Sequence, residues 1–317
     1  MQRILITGAS GCIGHYVTEA LIQQTNHELV LLVRNPQKLQ LDVTARPGIT
    51  VLQRDLRDLD TWSEVLPTVT RAVLTATAWG DPKVVFDVNV TQTVELVRRL
   101  HPQVCQQVLY FSTASILDRH LAPLAAAKEL GTDYIRSKYL CMEQLATLEA
   151  APTIVKLFPT LVFGGDRHKP YSFLSADFPK LLHWVDFIRW FKAEGSFHFI
   201  HAQDIAQVVV HLIEHPETTP ADNLVLGNPE ITVNECIRTL CTFSQRRIYG
   251  QVDVSPLLAN TIVKIFNIQM ADWDRFCLQY RYFGYDRPVS PATFGLACSY
   301  PTLTDLLKGA VDQVARR

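Results

Sequence analysis

Residues 4–14 read Ile-Leu-Ile-Thr-Gly-Ala-Ser-Gly-Cys-Ile-Gly, or ILITGASGCIG. Three apolar residues run into glycines at positions 8, 11 and 14, and IGHYVTEALIQQ (13–24) continues with helical spacing. A strand that turns on glycines into a helix makes an anion site. The first helical N–H groups lack partners and carry roughly half a positive charge. Glycine lets the backbone approach a pyrophosphate with no Cβ in the way. Gly8, Ser10, Gly11, Cys12, Ile13 and Gly14 are therefore read as a phosphate cradle. A plain strand-to-helix turn is the alternative, and glycine spacing alone does not separate the two.

Outward from that stretch the chain alternates. RILIT (3–7), ELVLLVR (28–34), ITVLQRDL (49–56), RAVLTATA (71–78), QVLYFSTAS (107–115) and TIVKLFP (153–159) read as six strands. VVFDVNVTQTVELVRRLHP (84–102) and YIRSKYLCMEQLATLEA (134–150) read as helices between them. Apolar strands separated by helices predict a parallel sheet covered on both faces. After Pro159 the pattern loosens, with aromatics and proline over 166–196 and helices expected near 232–243, 255–268 and 303–315. FHFIHAQDIAQVVVHLIEH (197–215) and NLVLG (223–227) again look like helix and strand of the first layer. Two interleaved units follow: residues 1–165 with 197–228, and residues 166–196 with 229–317.

Bulk properties narrow the function. Of 317 residues, 48% are hydrophobic, which is ample for a buried core. Lys and Arg total 30 against 31 Asp and Glu, for a net charge of -1, so no basic excess points to nucleic acid. Seven scattered cysteines without a Cys-x-x-Cys pair fit reduced thiols rather than a disulfide framework or structural zinc. The N-terminal apolar run is too short for a signal peptide, and PLLANTIVKIF (256–266) is too short to span a bilayer. A cytoplasmic protein with no membrane span is expected.

The fragment TGASGCIG (7–14) is similar to the TGxxGxxG fingerprint of the short-chain dehydrogenase/reductase superfamily, and the chain length resembles its extended, epimerase/dehydratase-like branch. Other stretches match in turn. Asp55-Leu56 looks like the pair that meets the adenine, and VLTATA (73–78) sits at the fourth-strand motif with Thr75 where many members have His. VNVTQT (88–93) resembles the VNxxGT helix, with Asn89 in place and Gln92 for the usual glycine. FIHAQDIA (199–206) resembles the phrase that opens a late helix. KLFPTLVFGG (156–165) resembles the segment whose proline, here Pro159, lies by the nicotinamide, with Phe158 for the usual arginine. The resemblance implies an α/β, Rossmann-type doubly wound parallel sheet with a smaller interleaved C-terminal substrate domain. It also implies a nicotinamide cofactor and a homodimer paired through the helices at 84–102 and 134–150.

The chemistry centres on Tyr134-x-x-x-Lys138, since residues four apart share a helix face. A free phenol has a pKa near ~10, and a neighbouring ammonium is expected to lower it. The third member comes from the end of the fifth strand, where open α/β sheets place their ligands. By resemblance Thr113 takes the serine position and donates to the substrate oxygen, with Ser112 and Ser115 as rivals. Tyr134 and Lys138 also count among the cofactor contacts. Arg34 stands where NAD-binding members carry an acid, so it can pair a 2′-phosphate, with Lys38 and Ser10 assisting. NADP(H) is expected, with NAD the alternative.

The leading expectation is an NADP-dependent oxidoreductase acting on an alcohol or ketone through Thr113, Tyr134 and Lys138. A nucleotide-sugar epimerase or dehydratase with tightly held cofactor is the runner-up. A non-catalytic nucleotide-sensing or assembly protein is third. His211 and His215 have i, i+4 spacing but lack the Glu that zinc peptidases use, so no metal is expected. The aromatics of LLHWVDFIRWF (181–191) and QYRYFGYDRP (279–288) read either as packing or as a wall for an apolar substrate. Asp204 reads as an anchor for the late helix.

Overall fold

A computed structural model describes residues 1–148, 152–255 and 269–315, with side chains not described at 177–181 and 311–315. The expected helix at 255–268 therefore lies outside the described residues, save Ser255.

The sheet begins with β1 (Arg3–Thr7), β2 (Glu28–Val33) and β3 (Ile49–Gln53). It continues with β4 (Arg71–Leu74), β5 (Gln107–Phe111) and β6 (Thr153–Pro159), and a seventh strand is Asn223–Leu226. All pair in parallel, in the order Asn223–Leu226, β6, β5, β4, β1, β2, β3. The order reverses between β1 and β4, which opens a crevice at the carboxyl ends of these two strands, as in Rossmann-like folds.

The two faces follow from the period-2 alternation of strand side chains. Ile4, Ile6, Leu29, Leu31, Val73, Leu109 and Leu157 point to one face. There they pack under α1 (Cys12–Gln24) and the helix Ala202–Glu214. Leu5, Val30, Leu32, Ala72, Val108 and Tyr110 point to the other, against Leu96, Val97, Cys141 and the fully buried Trp62. Each Ile, Leu or Val among them taken from water contributes about 1.5–3 kcal/mol. A further core gathers Val185, Phe199, Ile237, Leu240 and Leu307 from the later part of the chain.

Departures from the expected elements have local causes. The helix expected over 84–102 is three pieces: Pro82–Phe86, a π-helical turn Asp87–Gln92, and Thr93–Arg99. The π-helical turn carries Asn89, whose side chain leaves the helix to bind a neighbouring loop. Leu56–Thr68 forms kinked 3-10 turns started by the Asp55 carboxylate and stopped after Pro67. Its irregular periodicity hid it from the sequence. The strand expected over 107–115 ends at Phe111, where Thr113 caps a 3-10 turn Ala114–Ile116.

Three histidines knit these layers together. His15 Nδ1 lies 3.1 Å from the Ala9 carbonyl, and its Nε2 accepts from Gln40 N–H. His198 Nδ1 donates to Asn228 O at 2.7 Å while its Nε2 accepts from Tyr285 N–H at 2.9 Å. His201 caps the helix Ala202–Glu214 by accepting from Gln203 N–H. Burial lowers the pKa of all three, that of His201 to about 4. Unfolding lets each take a proton near pH 6.5, so their stability is full above that pH and is lost as pH falls. Buried Asp204, whose pKa burial raises, acts in the opposite sense, one group against three. The unfolding free energy is expected to be at least about 2 kcal/mol lower at pH 5 than at pH 7.5. His201→Asn keeps a capping acceptor and should flatten that loss in urea titrations. An unchanged slope would contradict the assignment.

Candidate active site

The glycine turn is built for a close approach. Gly8 has φ +73°, and a Cβ there would stand 2.6 Å from Ala76 N on the loop after β4. A Cβ on Gly14 would stand 2.1 Å from the Gly8 carbonyl oxygen. Exposed Gly11 is the N-cap of α1 and brings no side chain to its first N–H groups, nor does the first turn carry an acid. The donors at Cys12, Ile13 and Gly14 thus fit the pyrophosphate of a dinucleotide. Burial pushes the Cys12 thiol up to about 12, so it stays neutral beside this turn.

The neighbouring predicted contacts divide by what they already hold. Thr75 Oγ1 donates to Thr7 O at 2.7 Å and closes the seam between β1 and β4. Buried Asn89 is fully engaged: Oδ1 accepts from Ala78 N–H at 2.7 Å, and Nδ2 donates to Ala78 O at 3.1 Å and Ser137 Oγ at 3.0 Å. It ties the loop after β4 to the helix Asp133–Ala146. Asp55 is paired with Arg57, whose side chain holds its carboxyl below the usual range, and Leu56 is buried under the sheet. Arg34 is exposed directly after β2. Arg54 follows β3 at the matching place, its N–H donating to Val33 O at 3.1 Å. Register marks Arg54 as a second cation beside Arg34, which strand pairing could have shown and the sequence alone did not. Pro159 ends β6, buried.

Tyr134 and Lys138 lie on the helix Asp133–Ala146, which Thr132 caps and the Asn89–Ser137 bond orients. Lys138 is 3% exposed, and its Nζ donates to Phe111 O at 2.9 Å. That bond docks the helix on the end of β5, two residues before Thr113. The ammonium lies 6.0 Å from the Tyr134 ring centre and 5.3 Å from that of Tyr110. Burial lowers the Lys138 pKa to about 8, and burial raises that of Tyr134 well above the ordinary phenol value. The expected lowering of Tyr134 by Lys138 is therefore absent here: desolvation outweighs an ammonium engaged by a carbonyl. Half-buried Thr113 accepts from Ser115 N–H and donates to Ser115 Oγ, both at 3.4 Å, whereas Ser112 is buried.

The sequence profile of the NAD dependent epimerase/dehydratase family matches residues 4–227. The chain belongs to this family. Among solved structures, the UDP-glucose-4-epimerase of Stenotrophomonas maltophila, with bound NAD and formylated UDP-arabinopyranose, has a TM-score of 0.70 at 17% identity. That likeness covers 100% of this chain and 99% of that one. The terminal R domain of the myxalamid PKS-NRPS biosynthetic pathway gives a TM-score of 0.72 at 17% identity, covering 100% and 91%. These identities bear on the fold. Quinone oxidoreductase 2 of Escherichia coli (strain K12) is 42% identical over 72 residues, which span 22% of this chain and 24% of that protein.

Two features of this epimerase/dehydratase-family chain escaped the sequence reading. Trp79, 64% exposed, stacks flat on Tyr134 with ring centres 3.7 Å apart and planes 16° off parallel. Its signal was a lone tryptophan beside Gly80 in the loop after β4. The second is a cavity of about 330 Å³ next to the end of β5, with Ala114 and Ser115 on its wall. Arg281, Phe283 and Tyr285 of the second aromatic stretch line it, whereas Trp184, Phe187 and Trp190 of the first are solvent-exposed and stand apart. Phe158, in place of the usual arginine, is fully buried in the cluster that also holds Ala114, Trp273 and Tyr285. His211 bonds Thr218 and packs on Phe294, and Asp204 accepts from Ser299 and Tyr300 N–H. Among the described residues no group of three metal-ligating side chains gathers, and no helix is long and apolar enough to cross a membrane.

Proposed function

We propose that the protein is an NADP-dependent oxidoreductase that interconverts an alcohol and a ketone. The observation that carries this reading is the placement of Tyr134 and Lys138 on one helix that Lys138 itself fastens to the end of β5. In this reading residues 1–165 and 197–228 hold the cofactor, and the remainder shapes the substrate side. Gly8, Gly11 and Gly14 would receive the pyrophosphate, Asp55 and Leu56 the adenine end, and Pro159 the nicotinamide end.

When bound, the cofactor supplies or takes the hydride, and in its oxidised form adds a positive charge that favours the phenolate. Tyr134 Oη gives a proton to the carbonyl oxygen during reduction, or takes the carbinol proton during oxidation. Lys138, with a pKa of about 8, is still mostly protonated at pH 7 and so favours the phenolate over the phenol. Thr113 donates to the substrate oxygen by turning its one proton away from Ser115 Oγ, while the Ser115 N–H goes on donating to the Thr113 oxygen. Such acid–base help is typically worth about 10²–10⁴ in rate. Consumption of NADPH on adding a ketone to the purified protein tests the reading, and a protein inert towards every carbonyl compound offered would contradict it.

Cofactor choice has its own test. Arg34 and Arg54 at the ends of β2 and β3 favour a 2′-phosphate, where an acid would repel it. Arg34→Asp should weaken NADPH binding by about 10–100-fold, since charged hydrogen bonds are worth about 1.5–3 kcal/mol. NADH affinity should rise in the same variant. Fluorescence titration of both cofactors measures this, and tighter NADH binding by the unaltered protein would refute the preference.

The epimerase reading draws support from the UDP-sugar bound in a structural relative. A diphosphate needs cations on the substrate side. Among the described residues lining the cavity Arg281 is the one cation; Glu194 engages its Nη1 at 3.2 Å, and its buried Nε has no partner.

A further inference from the structure

The cavity beside the end of β5 has more to say about the substrate. At about 330 Å³ it lies at the small end of the ~300–1,000 Å³ typical of small-molecule sites. Trp273, Phe283, Tyr285, Phe197 and Leu161 form the large apolar part of its wall, and polar side chains complete it. The polar side chains among them already hold partners. His198 is used at both nitrogens, and its tautomer is fixed with the proton on Nδ1. Tyr285 donates to Ala114 O at 2.7 Å, Thr160 donates to Leu226 O at 2.9 Å, and Ser196 donates to Glu230. Arg281 is held by Glu194 through Nη1, while its buried Nε–H has no partner among the described residues.

A ligand rich in hydroxyls or phosphates would be poorly matched to such a wall. The protons of the Tyr285, Thr160 and Ser196 hydroxyls are already given away, so most acceptor oxygens it buried would lose their water without finding a donor, Arg281 excepted. An apolar ring loses little water and gains aromatic contacts. The one lining hydroxyl that is loosely held among the described residues is Ser115, which accepts a long 3.4 Å bond from Thr113. It marks the catalytic end of a cavity whose other lining hydroxyls have donated their protons.

The other side of the site is also aromatic. Tyr134 packs against the cluster containing Ala114, Trp273 and Tyr285, and Trp79 lies flat upon the phenol. The reacting phenol thus lies between the indole and a cluster that shares Ala114, Trp273 and Tyr285 with the cavity wall.

Resting on the oxidoreductase reading, we infer that the substrate is an aryl-alkyl ketone or its carbinol. The ring fills the cavity against Trp273, Phe283 and Tyr285. The carbonyl carbon lies at the Ser115 and Thr113 end, within reach of Tyr134 and beneath Trp79. In the reducing direction the C=O π bond breaks, a C–H bond forms with the hydride of NADPH, and Tyr134 delivers the proton that completes the hydroxyl.

The test uses the full chain with NADPH and three probes: a phenyl-alkyl ketone, an aliphatic ketone of equal carbon number, and a UDP-sugar. The phenyl ketone should be reduced with kcat/KM about tenfold or more above the aliphatic one. That ratio should fall about tenfold in Trp273→Ala. Phe283→Ala provides the same readout should Trp273→Ala fail to fold, with NADPH binding as the check of folding. Binding of the phenyl ketone, read as displacement of a fluorescent aryl ketone from the NADP-loaded protein, should be lost in the same variants.

Failures separate cleanly. NADPH oxidation with no aryl preference, or a UDP-sugar that displaces the fluorescent ketone better than the phenyl ketone does, overturns the substrate class. The oxidoreductase reading would survive the first of these. Displacement that depends on Trp273 and Phe283, with no NADPH consumed by any carbonyl, supports the aromatic site while refuting the oxidoreductase reading.

Discussion

Replacing Tyr134 with phenylalanine is expected to lower kcat by about 10²–10⁴ while leaving the NADPH dissociation constant within about twofold. The substitution removes one oxygen and little else. Trp79 stacks on the ring, whose centre lies 3.7 Å away, and the ring packs on the cluster of Ala114, Trp273 and Tyr285; a phenyl group keeps both. Thermal stability should therefore stay close to that of the parent protein, so lost activity cannot be blamed on unfolding. The pH profile adds a second signature. Burial raises the Tyr134 pKa, so oxidation of the carbinol, which needs the phenolate, should accelerate as pH rises. In Tyr134→Phe that alkaline rise should vanish, and the residual rate should be flat. If kcat in the variant stayed within tenfold of the parent, proton transfer would have to come from another group. The nucleotide-sensing reading would then gain ground.

The difference between what the sequence disclosed and what it hid follows interaction range. The glycine turn was legible because the constraint is local: Gly8 must adopt positive φ, and Gly14 must leave room for the Gly8 carbonyl. The parallel sheet was legible because its central strands, such as β1 and β2, are apolar on both faces, a pattern few other environments require. Tyr134 and Lys138 were legible because helical spacing aligns them, whatever surrounds them. Contacts between segments were not legible. Nothing near Trp79 in sequence says that its indole will cover Tyr134, 55 positions onward. Arg54 becomes Arg34's neighbour through the register of β2 with β3. The electrostatics of Tyr134 were also misjudged, because burial depends on tertiary packing, and here it overrides the attraction of Lys138.

Lys138→Met should separate function from stability by moving them in opposite directions. The lysine is 3% exposed, and burial lowers its pKa from 10.5 to about 8. A protonated amine at neutral pH is therefore held in the folded state at a cost of about 3 kcal/mol, taking about 1.4 kcal/mol per pKa unit. Methionine fills similar space without charge but abandons the bond to Phe111 O, a loss of about 1 kcal/mol. The net expectation at pH 7 is a stabilisation of about 2 kcal/mol, seen as a rise of a few degrees in Tm. The sign can be checked against pH. Below about pH 8 both folded and unfolded chains hold the proton, and the cost is full. Between about 8 and 10.5 the unfolded chain holds it while the folded chain releases it, so the parent protein gains stability as pH rises. The advantage of Lys138→Met should accordingly shrink from pH 7 to pH 10, as urea unfolding at the two values would show. Activity should fall throughout, because the phenolate of Tyr134 loses its nearby cation and the helix loses its tie to β5. A variant less stable than its parent by the same margin at both pH values would mean that Lys138 is held chiefly for its bond to Phe111. A more stable and inactive variant would mean that the fold tolerates a buried cation because the site requires one.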